Sequence, residues 1–266
     1  MTEPSPTRLA STILLVRDGP GGAEICMVVR NRKIAFASGA LVFPGGSVDP
    51  GDHGADSVAD GAGLTGEALT LRVAAIREAF EECGVLLARR GDALVSGEDA
   101  ARLVTKWRTR LEADEISIAE IAREEGLTLA VDLIHPFAHW ITPEAEMKRF
   151  DTHFFIARAP AGHALDHDGG EAVEAVWLTP TAAMDEGRAG TKALMFPTWL
   201  NLQVLESAKD ADAAMALAQA HPVVTVMPDF RKVDGGVELR IPAEAKYAHS
   251  AYLVAGFAAE PQPIEG

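Results

Sequence analysis

A short segment of the sequence carries three glutamates at a spacing that places them on one face of a helix. The segment REAFEECGV, Arg77 to Val85, contains Glu78, Glu81 and Glu82 at positions i, i+3 and i+4. Carboxylates so placed repel one another, and hard divalent cations that prefer oxygen ligands would offset the repulsion. Arg77 could orient one carboxylate through a bidentate ion pair. The alternative is a solvated acidic face, because charge runs are common on exposed helices.

A glycine turn upstream favours the metal-binding interpretation. The residues FPGG, Phe43 to Gly46, follow a short apolar run. Glycines leave backbone carbonyls accessible, since no side chain keeps a metal ion or a phosphate away. Together with the acidic helix, which Gly84 is expected to terminate, this turn predicts an oxygen-lined cation site.

These two segments resemble the two halves of the Nudix hydrolase signature, G-x5-E-x7-R-E-U-x-E-E-x-G-U, in which U is an aliphatic residue. Gly46 matches the first glycine. The positions that match the second half are Arg77, Glu78, Ala79, Glu81, Glu82, Gly84 and Val85.

The first half of the signature departs from the family pattern. The residue six places after Gly46 is Asp52 rather than glutamate, and 24 residues separate Asp52 from Arg77 where the signature has seven. We interpret the excess as a surface loop inserted at residues 53–69, because its composition is rich in glycine. Either Asp52 or Glu67 could replace the first signature glutamate.

The resemblance implies a Mg²⁺- or Mn²⁺-dependent hydrolase that cleaves a nucleoside diphosphate linked to another moiety. The implied metal ligands are Glu78, Glu81, Glu82 and a backbone carbonyl near Gly46. The implied catalytic residues are Arg77, Glu78 and Glu171, with Glu174 as another candidate for the general base. Gly45 and Gly46 are implied substrate contacts.

Most of the chain also resembles the coenzyme A and acyl-coenzyme A diphosphatases of this family. The segments that carry this resemblance include VVRNRKIAFASGALVFPGG, HWITPEAEMKRFDTHFFIA and GGEAVEAVWLTP, together with an insertion inside the signature. Lys33 stands where coenzyme A enzymes commonly have serine, and Ala35 where many have arginine. Coenzyme A carries a 3′-phosphate besides its pyrophosphate, and Arg30, Arg32 and Lys33 could contact it.

Two other functions stay open at this point. One is a Nudix hydrolase for another dinucleotide, such as NADH or ADP-ribose. The other is a Nudix-like module that binds or regulates without turnover, which the retained acidic ligands disfavour. His135, His139 and His153 lie on predicted strands, and we interpret them as core or cleft-edge histidines rather than metal ligands.

The elements that must position these residues are mixed in type, which predicts an α/β fold. Apolar runs predict strands at residues 11–16, 24–30, 39–43, 133–142, 149–157 and 172–178, and a strand pair within residues 222–242. The segment RDGPGG between the first two strands predicts a hairpin. Helical spacing predicts helices at residues 71–88, within a helical insertion at 97–125, after Thr179, and at 199–209 and 211–220. The resemblance implies an α/β/α sandwich with a mixed sheet. We expect a Nudix domain at residues 8–190 and a helical C-terminal extension at 191–266 packed on it.

Composition limits the partners of this chain. The formal net charge of −15 argues against a nucleic-acid-binding surface, since phosphate backbones attract clustered lysine and arginine. Bound cations can nevertheless let an acidic protein act on a small polyphosphate. Two cysteines, the absence of an apolar run of ~20 residues and the lack of a signal pattern lead us to expect a cytoplasmic protein without membrane contacts. The long extensions are compatible with a homodimer.

Overall fold

The computed structural model describes residues 5–31, 38–60, 63–256 and 259–264. Its helices are α1 (Gly66–Cys83), α2 (Gly97–Glu112), α3 (Ile118–Glu125), α4 (Pro180–Arg188), α5 (Phe196–Leu205) and α6 (Ala211–Ala220). The strands in the first half of the chain are β1 (Thr7–Gly19), β2 (Gly22–Arg30), β3 (Leu41–Val42), β4 (Gly45–Ser47), β5 (Ala88–Arg90), β6 (Ala93–Leu94) and β7 (Thr128–Leu129). Those in the second half are β8 (His135–Ile141), β9 (Arg149–Arg158), β10 (Ala172–Leu178), β11 (Thr225–Val226), β12 (Asp229–Val233), β13 (Gly236–Arg240), β14 (Ala251–Val254) and β15 (Gln262–Pro263).

The main sheet is mixed and has β1 at its centre. Its strands run in the order β10-β2-β1-β9-β8-β11, with β3 added to β2 and β4 added to β1. The predicted hairpin joins β1 to β2 and closes where Gly19 faces Gly22. The pairs β1–β9 and β8–β11 are parallel, whereas the other neighbours are antiparallel.

Helices cover both faces of this sheet and create two cores. Ile13 and Leu15 belong to the core that α1 and α2 cover, whereas Leu14 and Val16 belong to the core that α5 and α6 cover. A strand buried on both faces has a continuous apolar run instead of alternation, which is the pattern of β1. The predicted α/β/α sandwich with a mixed sheet is confirmed.

Helix α1 differs at both ends from the predicted helix at residues 71–88. It begins at Gly66 and ends at Cys83, because Gly84 adopts a left-handed conformation with φ of 72°. The N–H of Val85 then donates to the carbonyl of Ala79 at 3.1 Å, a bond typical of a Schellman cap. The residues after Gly84 are buried but leave the helix axis.

The insertion at residues 53–69 is not simply a surface loop, and this part of the sequence interpretation is wrong. Ala55 and Val58 are buried in the same core as α1, and residues 66–69 form the first turn of that helix. The backbone N–H of Leu129 donates to the carbonyl of Val58 at 2.6 Å. The glycine-rich composition concealed two small apolar side chains that anchor the segment.

The predicted helical insertion at residues 97–125 is present as α2 and α3. Ser96 and Ser117 cap the two helices by accepting hydrogen bonds from backbone N–H groups in their first turns. Leu103, Trp107 and Ile121 bury the apolar faces of these helices in the core beside α1. The insertion therefore supports the helix that carries the three glutamates.

The C-terminal extension is only partly helical, which corrects the sequence expectation. After α5 and α6, the strands β12, β13, β14 and β15 form an antiparallel sheet, where the sequence predicted a single strand pair. Helices α4 and α5 lie on either side of residue 190 and share one core. The division of the chain into domains at that residue stays a prediction. None of the described helices combines the length and apolarity needed to cross a bilayer.

The packing of the insertion can be tested with two neighbouring residues. Val58 is buried and Ser57 is exposed. We expect Val58→Asp to lower the free energy of unfolding by more than about 2 kcal/mol, because it buries an unpaired carboxylate. Ser57→Asp should leave it nearly unchanged. Chemical denaturation of both variants measures the difference, and equal stabilities would mean that the segment does not pack.

Candidate active site

The glycine turn and the acidic helix meet at one place in the structure. The N–H of Gly45 donates to Glu82 Oε2 at 2.9 Å. A Cβ atom at Gly46 would lie 2.6 Å from Glu78 Oε1, and one at Gly45 would lie 2.5 Å from Thr12 Oγ1. A side chain at Gly45 would clash with the backbone of Ser11 and Thr12, and one at Gly46 would displace the carboxylate of Glu78.

Asp52, rather than Glu67, is the carboxylate that binds Arg77. Arg77 Nε and Nη2 donate to the two oxygens of Asp52 at 2.9 and 3.1 Å, and Nη2 also donates to the carbonyl of Ser47 at 2.8 Å. The N–H of Asp49 donates to Asp52 Oδ2 at 2.8 Å. Glu67 is exposed in the first turn of α1, about 15 Å along the helix from Arg77.

Arg77 also contacts two of the three glutamates on its own helix. Its Nη1 lies 2.8 Å from Glu81 Oε2 and 2.8 Å from Glu78 Oε1. The guanidinium therefore connects Asp52, which precedes the insertion, with the carboxylates that follow it. Arg77 thus joins the two halves of the signature, as the hydrogen bond from Gly45 to Glu82 also does.

The glutamates carry a strong electrostatic cost. Burial raises the pKa of Glu78 from 4.5 to about 8; the charge of Arg77 opposes this shift, while the charges of Glu81 and Glu171 add to it. Burial also raises the pKa of Glu81 to about 7, against the opposing charge of Arg77. Burial, and then the charge of Glu78, raises the pKa of Glu82 well above its usual range. A bound cation would favour the charged forms.

The surroundings of one Glu82 oxygen are evidence for a cation-binding site. Glu82 Oε1 is buried and has no hydrogen-bond partner within the described part of the chain, and Arg30 Nη1 lies 3.9 Å away. Leaving a buried carboxylate oxygen unsatisfied costs free energy. A divalent metal beside Glu82 and Glu78 would satisfy it, so the residues fit a hard cation with oxygen ligands.

Arg30 and Glu171 lie beside these carboxylates. Arg30 Nη2 donates to Glu171 Oε1. The loop that bears Glu171 is fixed by Asp168, whose carboxylate accepts hydrogen bonds from the backbone N–H groups of residues 170–172. The charge of Glu171 acts on Glu78, which places the two carboxylates in one electrostatic environment.

The other predicted residues do not join this group. Glu174 is bound by Lys192, with 2.6 Å between Oε2 and Nζ. Arg32, Lys33 and Ala35 lie outside the described residues. The predicted site residues that the structure brings together are Arg30, Gly45, Gly46, Arg77, Glu78, Glu81, Glu82 and Glu171.

The structure also brings together a second group that the sequence interpretation did not recognise. His139 and His153 lie on β8 and β9 and, with Asp151, form a cluster whose potential ligand atoms are all within 4.8 Å of one another. His135 is not part of this group. Asp151 was missed, although aspartate and histidine two residues apart on a strand share one face.

The fold and the site together define a Nudix domain. Residues 55–203 match the sequence model of the NUDT19 Nudix domain, and the chain belongs to the Nudix hydrolase family. A particular solved structure, the NUDIX hydrolase from Alicyclobacillus acidocaldarius, superimposes with a TM-score of 0.65 and 26% identity, covering 80% of this chain and 96% of that one. The predicted family resemblance is confirmed.

Two curated relatives are similar over a large part of the chain. The acyl-coenzyme A diphosphatase NUDT19 of Xenopus laevis is 27% identical over 209 residues, covering 61% of this chain and 54% of the relative. The putative nudix hydrolase 7 of Caenorhabditis elegans is 31% identical over 190 residues, covering 71% of this chain and 58% of the relative. The chain thus spans a little over half the length of these relatives.

Paired substitutions test the role of Asp52. Removing one partner of a buried ion pair typically costs about 3–5 kcal/mol. We expect Asp52→Asn to cost about 3 kcal/mol, because Arg77 keeps its contacts with Glu78 and Glu81. Glu67→Gln should cost less than about 0.5 kcal/mol, as expected for an exposed position. Denaturant unfolding measures both, and a larger loss in Glu67→Gln would contradict the assignment.

The raised pKa values predict a pH dependence. Between pH 4.5 and about 8, the unfolded chain has released protons that the metal-free folded protein still holds on Glu78 and Glu81. Their contribution to stability is present below pH 4.5 and is lost as the pH rises toward 8. We expect the Tm of the metal-free protein to fall over this range, and Mg²⁺ to raise the Tm more at its upper end. Calorimetry checks this, and Glu78→Gln should weaken the dependence; an unchanged slope in that variant would contradict it.

Proposed function

We propose that the protein is a divalent-metal-dependent Nudix pyrophosphohydrolase that cleaves coenzyme A or acyl-coenzyme A. The products would be 3′,5′-ADP and 4′-phosphopantetheine or its acylated form. The observation that carries the proposed catalysis is the buried pair Glu78 and Glu82 against a glycine strand, with one oxygen of Glu82 unpartnered. Arg77 balances only part of the charge of these buried carboxylates, and a bound cation would balance the rest.

The side chains divide into those that hold metal and those that position them. We assign Glu78 and Glu82 as metal ligands, Glu81 as a further ligand and the carbonyl of Gly46 as a backbone ligand. Bound Mg²⁺ or Mn²⁺ would activate water and neutralise charge on the pyrophosphate. Arg77 holds Glu78 and Glu81 in place through its contacts with them.

Glu171 is our candidate for the general base. Its side chain is about half exposed, so a water molecule can reach it, and Arg30 binds its carboxylate. Arg30 also lies near Glu82, and its Nε is buried and unpartnered within the described part of the chain. This position favours contact with the pyrophosphate, beside the metal ligands, over contact with the distant 3′-phosphate. Arg32 and Lys33 stay the predicted partners of the 3′-phosphate.

The substrate proposal rests on similarity. The Xenopus laevis relative is named as an acyl-coenzyme A diphosphatase, and the family model that matches is that of the NUDT19 Nudix domain. The segments that resemble coenzyme A diphosphatases also extend beyond the signature, into β8, β9 and β10. The choice between Mg²⁺ and Mn²⁺, the cytoplasmic location and the homodimer stay predictions.

A substrate panel tests the function. The candidates are coenzyme A, dephospho-coenzyme A, an acyl-coenzyme A, NADH and ADP-ribose, each with Mg²⁺ or Mn²⁺ and with products identified by mass spectrometry. We expect metal-dependent cleavage of the coenzyme A substrates. Glu82→Gln should lower kcat more than about a hundredfold, because losing even a partner of a metal ligand costs about 10- to 100-fold.

Glu124→Gln is the matched control, since Glu124 is exposed on α3. It should keep wild-type activity, and both variants should unfold cooperatively. Activity of Glu82→Gln within a few-fold of wild type at limiting Mg²⁺ would contradict the metal site. Cleavage of NADH or ADP-ribose in preference to coenzyme A would overturn the substrate and leave the reaction type intact.

A further inference from the structure

Two histidines and an aspartate form a compact group on the main sheet, on the face that α1 covers. His139 on β8 lies opposite His153 on β9, and Asp151 precedes His153 by two residues on the same face. His139 Nε2 donates to Asp151 Oδ1 at 2.5 Å, and His153 Nε2 lies 3.7 Å from the same oxygen. The imidazole rings are stacked, with centroids 4.0 Å apart and planes 20° apart. Three side chains thus converge on one point.

A hydroxyl group holds the outer nitrogen of His139. Nδ1 lies 2.8 Å from Thr225 Oγ1, because β11 pairs with β8 at this position. Metal-binding histidines almost always have their second ring nitrogen fixed in this way, which sets the ring orientation. A hydroxyl can accept as well as donate, so Nδ1 can carry the proton when Nε2 binds a metal.

The electrostatic environment suits a cation. Burial, and then the charge of His139, lowers the pKa of His153. Asp151 supplies a negative charge, and Glu67 in the first turn of α1 contributes another nearby. The side chains of His139, Asp151 and His153 are 17–29% exposed, which leaves a path for an ion from solvent.

This group is separate from the glutamates of the candidate active site. Glu67 is the residue of α1 whose charge acts on His153. Glu78 lies eleven residues further along the helix, about 16 Å from Glu67. Across the sheet, His153 pairs with Ser11 and Ser11 pairs with Gly46, so about two strand spacings of ~4.8 Å separate His153 from the glycine turn beside Glu78. The two groups also differ in chemistry, because imidazole nitrogens suit Zn²⁺ and related metals, whereas all-oxygen sets suit Mg²⁺ and Mn²⁺.

We propose that His139, Asp151 and His153 form a second metal site, which binds a divalent transition metal of the Zn²⁺ type. Zinc binds histidine nitrogen at about 2.0–2.1 Å and carboxylate oxygen at about 2.0–2.2 Å, so neighbouring ligand atoms of a tetrahedral ion lie about 3.4 Å apart. His139 Nε2 and Asp151 Oδ1 must therefore separate by about 1 Å, and His153 Nε2 already lies at a suitable distance. Water or Glu67 would complete the coordination. The metal would join β8, β9 and, through Thr225, β11.

Zinc binding to the full chain tests this site. The metal-free protein is titrated with Zn²⁺ in excess Mg²⁺, which competes for the glutamate site, and affinity is measured by competition with a chromophoric chelator. We expect one equivalent of Zn²⁺ to bind wild type and Glu82→Gln alike. His153→Gln and Asp151→Asn should each weaken the affinity more than about a hundredfold, since a ligand contributes more than its second-shell partner.

The exposed His249 provides the matched control, and His249→Gln should bind Zn²⁺ as wild type does. Circular dichroism of the metal-free variants checks that each is folded. Co²⁺ gives a second readout, because tetrahedral coordination absorbs visible light much more strongly than octahedral coordination. Absence of Zn²⁺ binding in wild type, or unchanged affinity in both ligand variants, would overturn the site. If Glu82→Gln failed to bind the one equivalent of Zn²⁺ that wild type binds, Zn²⁺ would occupy the glutamate site instead, and the proposal would be wrong.

Discussion

The ion pair between Arg77 and Asp52 is the contact on which the candidate active site depends. It joins two parts of the signature that an insertion separates, and both partners are buried. The same guanidinium binds Glu78 and Glu81, so it partly balances the carboxylates whose burial is costly. The insertion therefore packs against Leu129, while the ion pair keeps the residues before and after it in place beside the glutamates.

The carboxylates of the candidate active site lower the stability of the folded, metal-free protein. Raised pKa values at Glu78 and Glu82 mean that the folded chain holds these groups in an environment that disfavours their charge. Because residues 45 and 46 are glycines, the backbone of β4 lies close to Glu78 and Glu82, and the N–H of Gly45 donates to Glu82. Such conflicts between local stability and geometry are typical of functional sites.

The sequence predicted the sandwich, the hairpin and the acidic helix because each has a strong periodic pattern or a terminating glycine. It did not predict the packed insertion, since Ala55 and Val58 are too few to create a pattern. The sheet formed by β12 to β15 was also underestimated, because its strands are short and partly exposed. Asp52 could be chosen over Glu67 only from distances, and the group around Asp151 depends on pairing between β8 and β9. Neither relation is visible along the chain.

The central position of β1 has a consequence for folding. This strand begins at Thr7 but pairs in parallel with β9, ~140 residues later, and one of its faces is covered by helices that end at Ala220. During synthesis, the edge of β1 that pairs with β9 and the face that α5 and α6 cover have no native partners until most of the chain has left the ribosome. Contacts of such high sequence separation make folding slow and expose an aggregation-prone strand. We therefore expect the nascent chain to depend on chaperones.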